Sequence, residues 1–198
     1  ILSKTPGTAG DQQTWVFSFW HKLGPPTTNS NIFTPHSGGD GSNESQFFID
    51  YSSNGGKLRI YDSGGTRGDV QTSRVFRDPS AWYHIVVAVD LTQTTNTNKV
   101  LIYVNGVQET LTGTYPTNTN QWGWNGTSTH RISSYRGSPS FQDCYFSEMI
   151  MADGLSFFSD TSGTANSSFN INSFGELKNG VWIPIEPDVS DYGTNGFR

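Results

Sequence analysis

The sequence predicts an all-β chain folded as two packed antiparallel sheets, and three observations carry that expectation. The first is the stretch 82–108. Trp82-Tyr83-His84-Ile85-Val86-Val87-Ala88-Val89-Asp90 is dense in aromatic and β-branched residues, which suit a pleated, buried strand better than a helix. A loop of Thr, Gln and Asn alone, residues 92–98, separates it from KVLIYVNGVQ at 99–108. There Asn105-Gly106 stands between Val104 and Val107; a type I′ turn needs positive φ at both central residues, and this pair adopts it readily. Residues 82–112 thus predict a three-strand meander, a unit from which sandwiches are built. The second observation is composition. Gly accounts for 22 of 198 residues, Asn, Ser and Thr are abundant, and the strong helix formers Ala, Leu, Glu and Lys are scarce. The third is periodicity: no window sustains apolar residues at i, i+3, i+4 and i+7, so almost no helix is expected.

Residues 14–22 (TWVFSFWHK) read as the first clear strand, with Trp15, Phe17 and Phe19 on one face and Val16, Ser18 and Trp20 on the other. Pro25-Pro26 ends it. A short strand at 32–34 precedes a Gly-rich loop, 36–43, and residues 45–51 and 57–61 form a hairpin around Ser52-Ser53-Asn54-Gly55-Gly56. Residues 62–80 read as a loop with a short strand at 75–77, and 112–129 as a Thr/Asn/Gly-rich connection. Two more strands are expected at 130–135 and 142–152, the second alternating Cys144, Phe146, Glu148 and Ile150 against Tyr145, Ser147, Met149 and Met151. Residues 156–172 read as irregular. In the final apolar patch, 181–185, Pro184 confines the strand to an edge or an end. The whole, 1–198, is expected to be one sandwich domain. A start at Ile1 and an end at Phe197-Arg198 suggest a segment of a longer polypeptide.

Several function classes fall away on composition. Charged residues make up 15% of the chain, the formal net charge is −5, and no Lys/Arg stripe marks a nucleic-acid surface. The longest aliphatic run, 85–89, is too short to cross a bilayer. Cys144 is the single cysteine, so no intramolecular disulfide frames the fold, and its aromatic flanks suggest a buried strand thiol. The core must therefore rest on apolar burial, for which six Trp, eight Tyr and thirteen Phe are available.

Phe17-Ser18-Phe19-Trp20, then Trp82 to Asp90, then Leu101-Ile102-Tyr103-Val104-Asn105-Gly106, then 141–154, occur in the order and spacing of the concanavalin A-like lectin/glucanase superfamily, and the chain resembles its laminin-G-like branch. The resemblance implies a jelly-roll of two antiparallel sheets. A narrower likeness lies in 147–154, 173–176, 179–184 and 192–197, with 2–10, which look like modules of marine tailed-bacteriophage virion proteins, fibre-associated or decorating.

Glucanase members of that superfamily carry two glutamates flanking an aspartate on one strand, which places two carboxylates on one face about 5 Å apart as nucleophile and acid. Here the five glutamates, 44, 109, 148, 176 and 186, never approach within six residues of one another. The four histidines, 21, 36, 84 and 130, show no metal-ligand spacing, and His84 reads as a satisfied core or edge residue. No Gly-x-Ser-x-Gly elbow occurs, and Gly38-Gly39-Asp40-Gly41 lacks the Lys and helix of a phosphate loop. A non-enzyme is expected.

Sugar binding needs aromatic faces and fixed amides. Trp122 and Trp124, two apart, would share a side of an extended segment, with Tyr115, Asn120, Asn125 and His130 nearby. Either they form a ligand rim or the indoles plug an end of the sandwich. Asp40, Asn43 and Glu44 offer the oxygen ligands that Ca²⁺ prefers, as do rim loops of relatives, although their spacing matches no defined metal loop and a solvated turn is the plainer reading. Asn43, Asn125 and Asn166 head glycosylation sequons that matter only in a eukaryotic secretory setting. The combined expectation is a non-catalytic, extracellular or virion-surface module, homo-oligomeric, that binds a cell-surface glycan or receptor, or alternatively packs on other virion subunits as decoration.

Overall fold

The computed structural model describes residues 2–24, 29–36, 45–62, 68–117, 121–135 and 143–198. Within them the strands in chain order are β1 (Leu2–Lys4), β2 (Thr14–Leu23), β3 (Ser30–His36), β4 (Ser45–Asp50), β5 (Lys57–Asp62), β6 (Gly68–Val75), β7 (Trp82–Asp90), β8 (Val100–Val104), β9 (Val107–Gln108), β10 (Leu111–Thr114), β11 (Thr129–Ile132), β12 (Cys144–Asp153), β13 (Gly175–Lys178) and β14 (Val181–Pro184). The helices among the described residues are two 3₁₀ turns, Asn96–Asn98 and Ile171–Ser173. One sheet has the order β1-β11-β3-β4-β5-β6-β10, the other β12-β2-β7-β8-β9, and β13-β14 is a separate hairpin. The chain is the all-β, two-sheet jelly-roll that its sequence predicts.

Alternation on β2 explains how the layers join. Trp15, Phe17 and Phe19 enter the main core between the sheets, where they meet Phe33, Phe47, Ile60, Ile85, Val87 and Ile102. Val16 turns the other way, into a second core with Val86, Ala88, Leu101, Ile150, Ala152, Phe157, Phe169 and Phe174. The five-stranded sheet is thus buried on both faces, which is why Ile85 to Val89 reads as a continuous apolar run rather than an alternating one. The covering layer comes from the segment after β12. Its Phe157, Phe169 and Phe174 pack edge-to-face and tilted at 5.5–6.4 Å between centroids.

The turn at Asn105-Gly106 has φ of 49° and 79°, as a type I′ hairpin requires. Gly106 does more than turn the chain: a Cβ there would lie 2.3 Å from Cε3 of Trp182, which seats the β13-β14 hairpin against β8-β9. Gly106→Ala combines a positive φ with that clash and is expected to cost about 1–3 kcal/mol and to unseat the hairpin, read as a lower urea midpoint with changed near-UV tryptophan circular dichroism.

Four strands went unforeseen. β6 lies in a stretch read mostly as loop, because Gly68, Asp69, Gln71 and Ser73 mask the inward Val70 and Thr72. Thr72 is fully buried yet satisfied, since Leu58 N–H donates to its hydroxyl at 3.2 Å and the hydroxyl donates to Arg74 O at 2.9 Å. β10 pairs with β6 at the sheet edge, and Gly113 is needed there because a Cβ would lie 2.2 Å from Asp69 O. β1 and β13 are short, three and four residues, and are held by a partner distant in sequence and by a hairpin partner respectively. The simple alternation expected of β12 also fails. Its register shifts between Ser147 and Ile150, with Glu148 at φ 50°. That bulge inserts a residue, so Phe146, Met149 and Met151 pack on the main core while Ile150 enters the second.

Candidate functional site

Of the two readings of Trp122 and Trp124, the indoles take the plug rather than the rim. Trp122 and Trp124 are 1% and 0% exposed and pack in the main core, Trp124 with its ring 5.3 Å from Trp15 and 5.6 Å from Trp122. Residues 121–128 are turns rather than an extended segment, and an indole that can reach a core gains more from burial than from lining a rim. Tyr115 is half-buried against the same core, and burial raises its phenol above the usual range. Asn120, Asp40, Asn43 and Glu44 lie outside the described residues.

Asn125 and His130 do come together, as internal struts. Asn125 is buried at φ 62°. Its N–H donates to His130 Nε2 at 3.0 Å, and its amide donates to Asp11 O at 2.9 Å and Asp153 Oδ1 at 3.1 Å. His130 Nδ1–H donates to Ser128 O at 2.8 Å, so the ring is neutral, and its pKa is lowered by burial first, despite the Ser128 bond, and by the Lys4 charge. Both residues border a cavity of about 190 Å³ whose other walls include Leu2, Pro6, Phe33, Ile132, Met151 and Phe197. That apolar lining suits no polyhydroxylated ligand.

His84 proves to be the satisfied core residue expected. Trp182 Nε1–H donates to its Nδ1 at 2.9 Å, which leaves Nε2 protonated and bonded to Ser18 Oγ at 2.9 Å. Burial lowers its pKa to about 4. Cys144 is half-buried 3.8 Å from Ser133 Oγ, and burial pushes its thiol up, away from nucleophilic use.

A different concavity has the chemistry that the rim was expected to supply. Ile102 and Val104 of β8 face the main core, so Leu101 and Tyr103 face the covering segment, and the gap between them is about 250 Å³. It is lined by Asn98, Leu101, Tyr103, Gln108, Phe157, Phe158, Ala165, Asn166, Asn170 and Ile171, none of them charged. Tyr103 meets Phe157 edge-to-face at 5.7 Å, and its hydroxyl donates to Gln108 Oε1 at 3.3 Å. Burial raises the Tyr103 pKa, so the phenol remains a neutral donor. The wall is rigid by construction: Asn166 Oδ1 accepts from Ser168 and Phe169 N–H at 3.0 and 3.2 Å, and Asn170 closes a capping box on the 3₁₀ turn. Asn98 and Gln108 stand at the opening. This groove was missed because 156–172 reads as irregular; its one sequence signal is the interleaving of Phe and Asn between 157 and 170.

No described group of three His, Cys, Asp or Glu could hold a metal ion. Two glutamates far apart in sequence, Glu148 and Glu186, do meet at the surface, where both bind Arg198. The hydrogen bond and charge of Arg198 hold the Glu186 carboxyl below its usual range, opposite to what a general acid needs. Among the described residues no helix is long and apolar enough to cross a membrane.

A family model described as Laminin_G_3, concanavalin A-like lectin/glucanases superfamily, matches residues 3–149. The covering segment thus lies almost wholly beyond the matched region. No curated protein matches the chain. Among solved structures, a SAP-like pentraxin from Limulus polyphemus, described as a native heptamer, superposes with a TM-score of 0.55 at 12% identity over 86% of this chain and 73% of its own. A candidate carbohydrate binding protein from Bacteroides ovatus ATCC 8483 gives 0.52 at 16% identity over 86% of this chain, which spans 42% of that protein's length. At these identities the likeness is one of fold.

Proposed function

The chain belongs to the concanavalin A-like lectin/glucanases superfamily, and from that premise we propose that it is a non-catalytic module that binds a neutral glycan in the groove between β8 and the covering segment. The observation that carries this reading is the uncharged lining itself: three aromatic rings with the amides of Asn98 and Gln108, those of Asn166 and Asn170 being committed to holding the wall. Rings offer a surface to the C–H faces of a pyranose, amides donate to and accept from hydroxyls, and the absence of fixed charge disfavours acidic sugars. Support for the absence of catalysis is that the described glutamates that meet, Glu148 and Glu186, are both tied to one guanidinium, that of Arg198.

The module serves on a virion surface, outside the cell, attaching the particle to host glycans. This part rests on the likeness of 147–154, 173–176, 179–184 and 192–197 to phage virion modules. One observation favours the second reading, attachment to other virion subunits or to further copies of the chain: Val107, Leu177 and Val181, at and beside the β13-β14 hairpin, are each more than half exposed.

A glycan array with the native chain, Asn98→Ala and Tyr103→Ala separates these readings. Neutral glycans should give a signal that falls at least about tenfold in either variant, since each lost buried hydrogen bond or ring contact is worth about 1–2 kcal/mol. Because no described carboxylate lines the groove, binding should persist in EDTA even if Asp40, Asn43 and Glu44 hold Ca²⁺. The array probes should remain uncleaved. A signal indifferent to both substitutions, or confined to acidic glycans, removes the groove from consideration; no signal beside a regular assembly in micrographs favours decoration.

A further inference from the structure

The cavity beside Asn125 and His130 is separate from the glycan groove, lying between the sheets rather than outside the five-stranded one. Its walls come from five separated stretches of chain: 2–6, Phe33 of β3, 125–132, Met151 of β12, and 195–197. They are fixed by one buried carboxylate. Asp153 Oδ1 accepts from Asp11 N–H at 2.7 Å and from the Asn125 amide at 3.1 Å, while Oδ2 accepts from Asn195 N–H at 2.8 Å. Phe197 is held by paired backbone hydrogen bonds with Met151 at 2.9 and 3.0 Å. The space is therefore framed by hydrogen bonds and has little freedom to collapse.

Its chemistry is lopsided. Leu2 pairs with Ile132 and Lys4 with His130 across β1 and β11, so all four share the side toward the cavity. The amide hydrogens that might greet a hydroxyl are committed: those of Asn125 go to Asp11 O and Asp153, those of Asn195 to Thr8 O at 2.9 Å and Asn125 O at 3.2 Å. The His130 ring is neutral with both nitrogens bonded. Among the described residues no carboxylate lines the space and Lys4 makes no ion pair. A cavity of about 150 Å³ lined by aliphatic and aromatic side chains takes up benzene, so about 190 Å³ admits a ring or a short chain with a substituent.

We propose that this cavity binds a small apolar carboxylate, its ring or alkyl chain against Phe33, Ile132, Met151 and Phe197 and its carboxylate at the Lys4 ammonium. The site is independent of the glycan reading. The test titrates the intact chain with 3-phenylpropionate and hexanoate, and with the matching neutral alcohols, by calorimetry and by shifts of the Ile132 and Met151 methyl resonances. The acids should bind at least fivefold more tightly than the alcohols. Lys4→Met should abolish that preference while leaving alcohol binding within twofold, and Leu2→Trp should obstruct both. Leu2 is 67% exposed, so the bulky substitution tests the mouth without burdening the core. Equal binding of acid and alcohol by the native chain, binding that survives Leu2→Trp, or no saturable methyl shift would each overturn the proposal. Glycan-array signals should be unaffected by Lys4→Met.

Discussion

Replacing Trp124 with Ala is expected to cost about 3–5 kcal/mol, a third or more of the total stability of a typical domain. The side chain is fully buried and touches both Trp15 and Trp122, so truncation removes a shared contact as well as its own burial. Its Nε1–H has no partner among the described residues, however, and a buried orphan donor costs about 1–3 kcal/mol. Trp124→Phe, which keeps most of the ring area and deletes that donor, should therefore lose less than half as much. Urea unfolding of both variants checks the ordering. If Trp124→Ala kept the native midpoint yet lost glycan binding, the residue would belong to a rim after all and the groove reading would fail.

Acidification should destabilise the fold in a defined window. Burial lowers the pKa of both His21 and His84 from 6.5 to about 4. His21 packs between Phe19 and Phe146, and neither ring nitrogen has a hydrogen-bond partner among the described residues. His84 lies beside Trp20 and Trp182, and its neutral ring bonds Ser18 and Trp182, with no carboxylate among these contacts to hold a proton on it. The folded state therefore prefers neutral imidazoles. Below pH 6.5 the unfolded chain takes up protons that the folded chain refuses, so stability is at full value above about 6.5 and declines until about 4, where both states are protonated. Each histidine accounts for roughly 3 kcal/mol at the bottom of the window. Urea midpoints should fall across that range, and His21→Phe should flatten part of the slope, with His84 and the buried His130 supplying the rest of the histidine contribution. A midpoint constant through the window would refute the assignment. Protonation of His84 has a local consequence as well. Its Nδ1 ceases to accept from Trp182, so the β13-β14 hairpin should loosen first, detectable as tryptophan fluorescence changing at higher pH than the far-ultraviolet signal.

Much of the sheet content was legible because its causes are local. The pleat forces Trp15, Phe17 and Phe19 to one side whatever lies above them, and Asn105-Gly106 tolerates positive φ in any context. The pairing of β4 with β5 and the end of β14 at Pro184 follow from the same short-range rules. The lack of clustered glutamates is likewise a property of the chain, and among the described residues Glu148 and Glu186 meet from segments far apart.

What the sequence by itself determined is a β-rich chain with an apolar central strand, tight turns and no two glutamates on one strand. The tertiary structure decided which faces were covered and hence where a ligand could sit. Trp122 and Trp124 went inward because distant strands offered them a core; Asn125 and His130 became struts because Asp153 and Ser128 reached them. The bulge at Glu148 reversed the faces of β12, and the segment after β12 folded back over β8 to make the groove. A turn is chosen by the torsions of two residues, whereas a covered face depends on area buried between segments far apart in the chain, which no local pattern records.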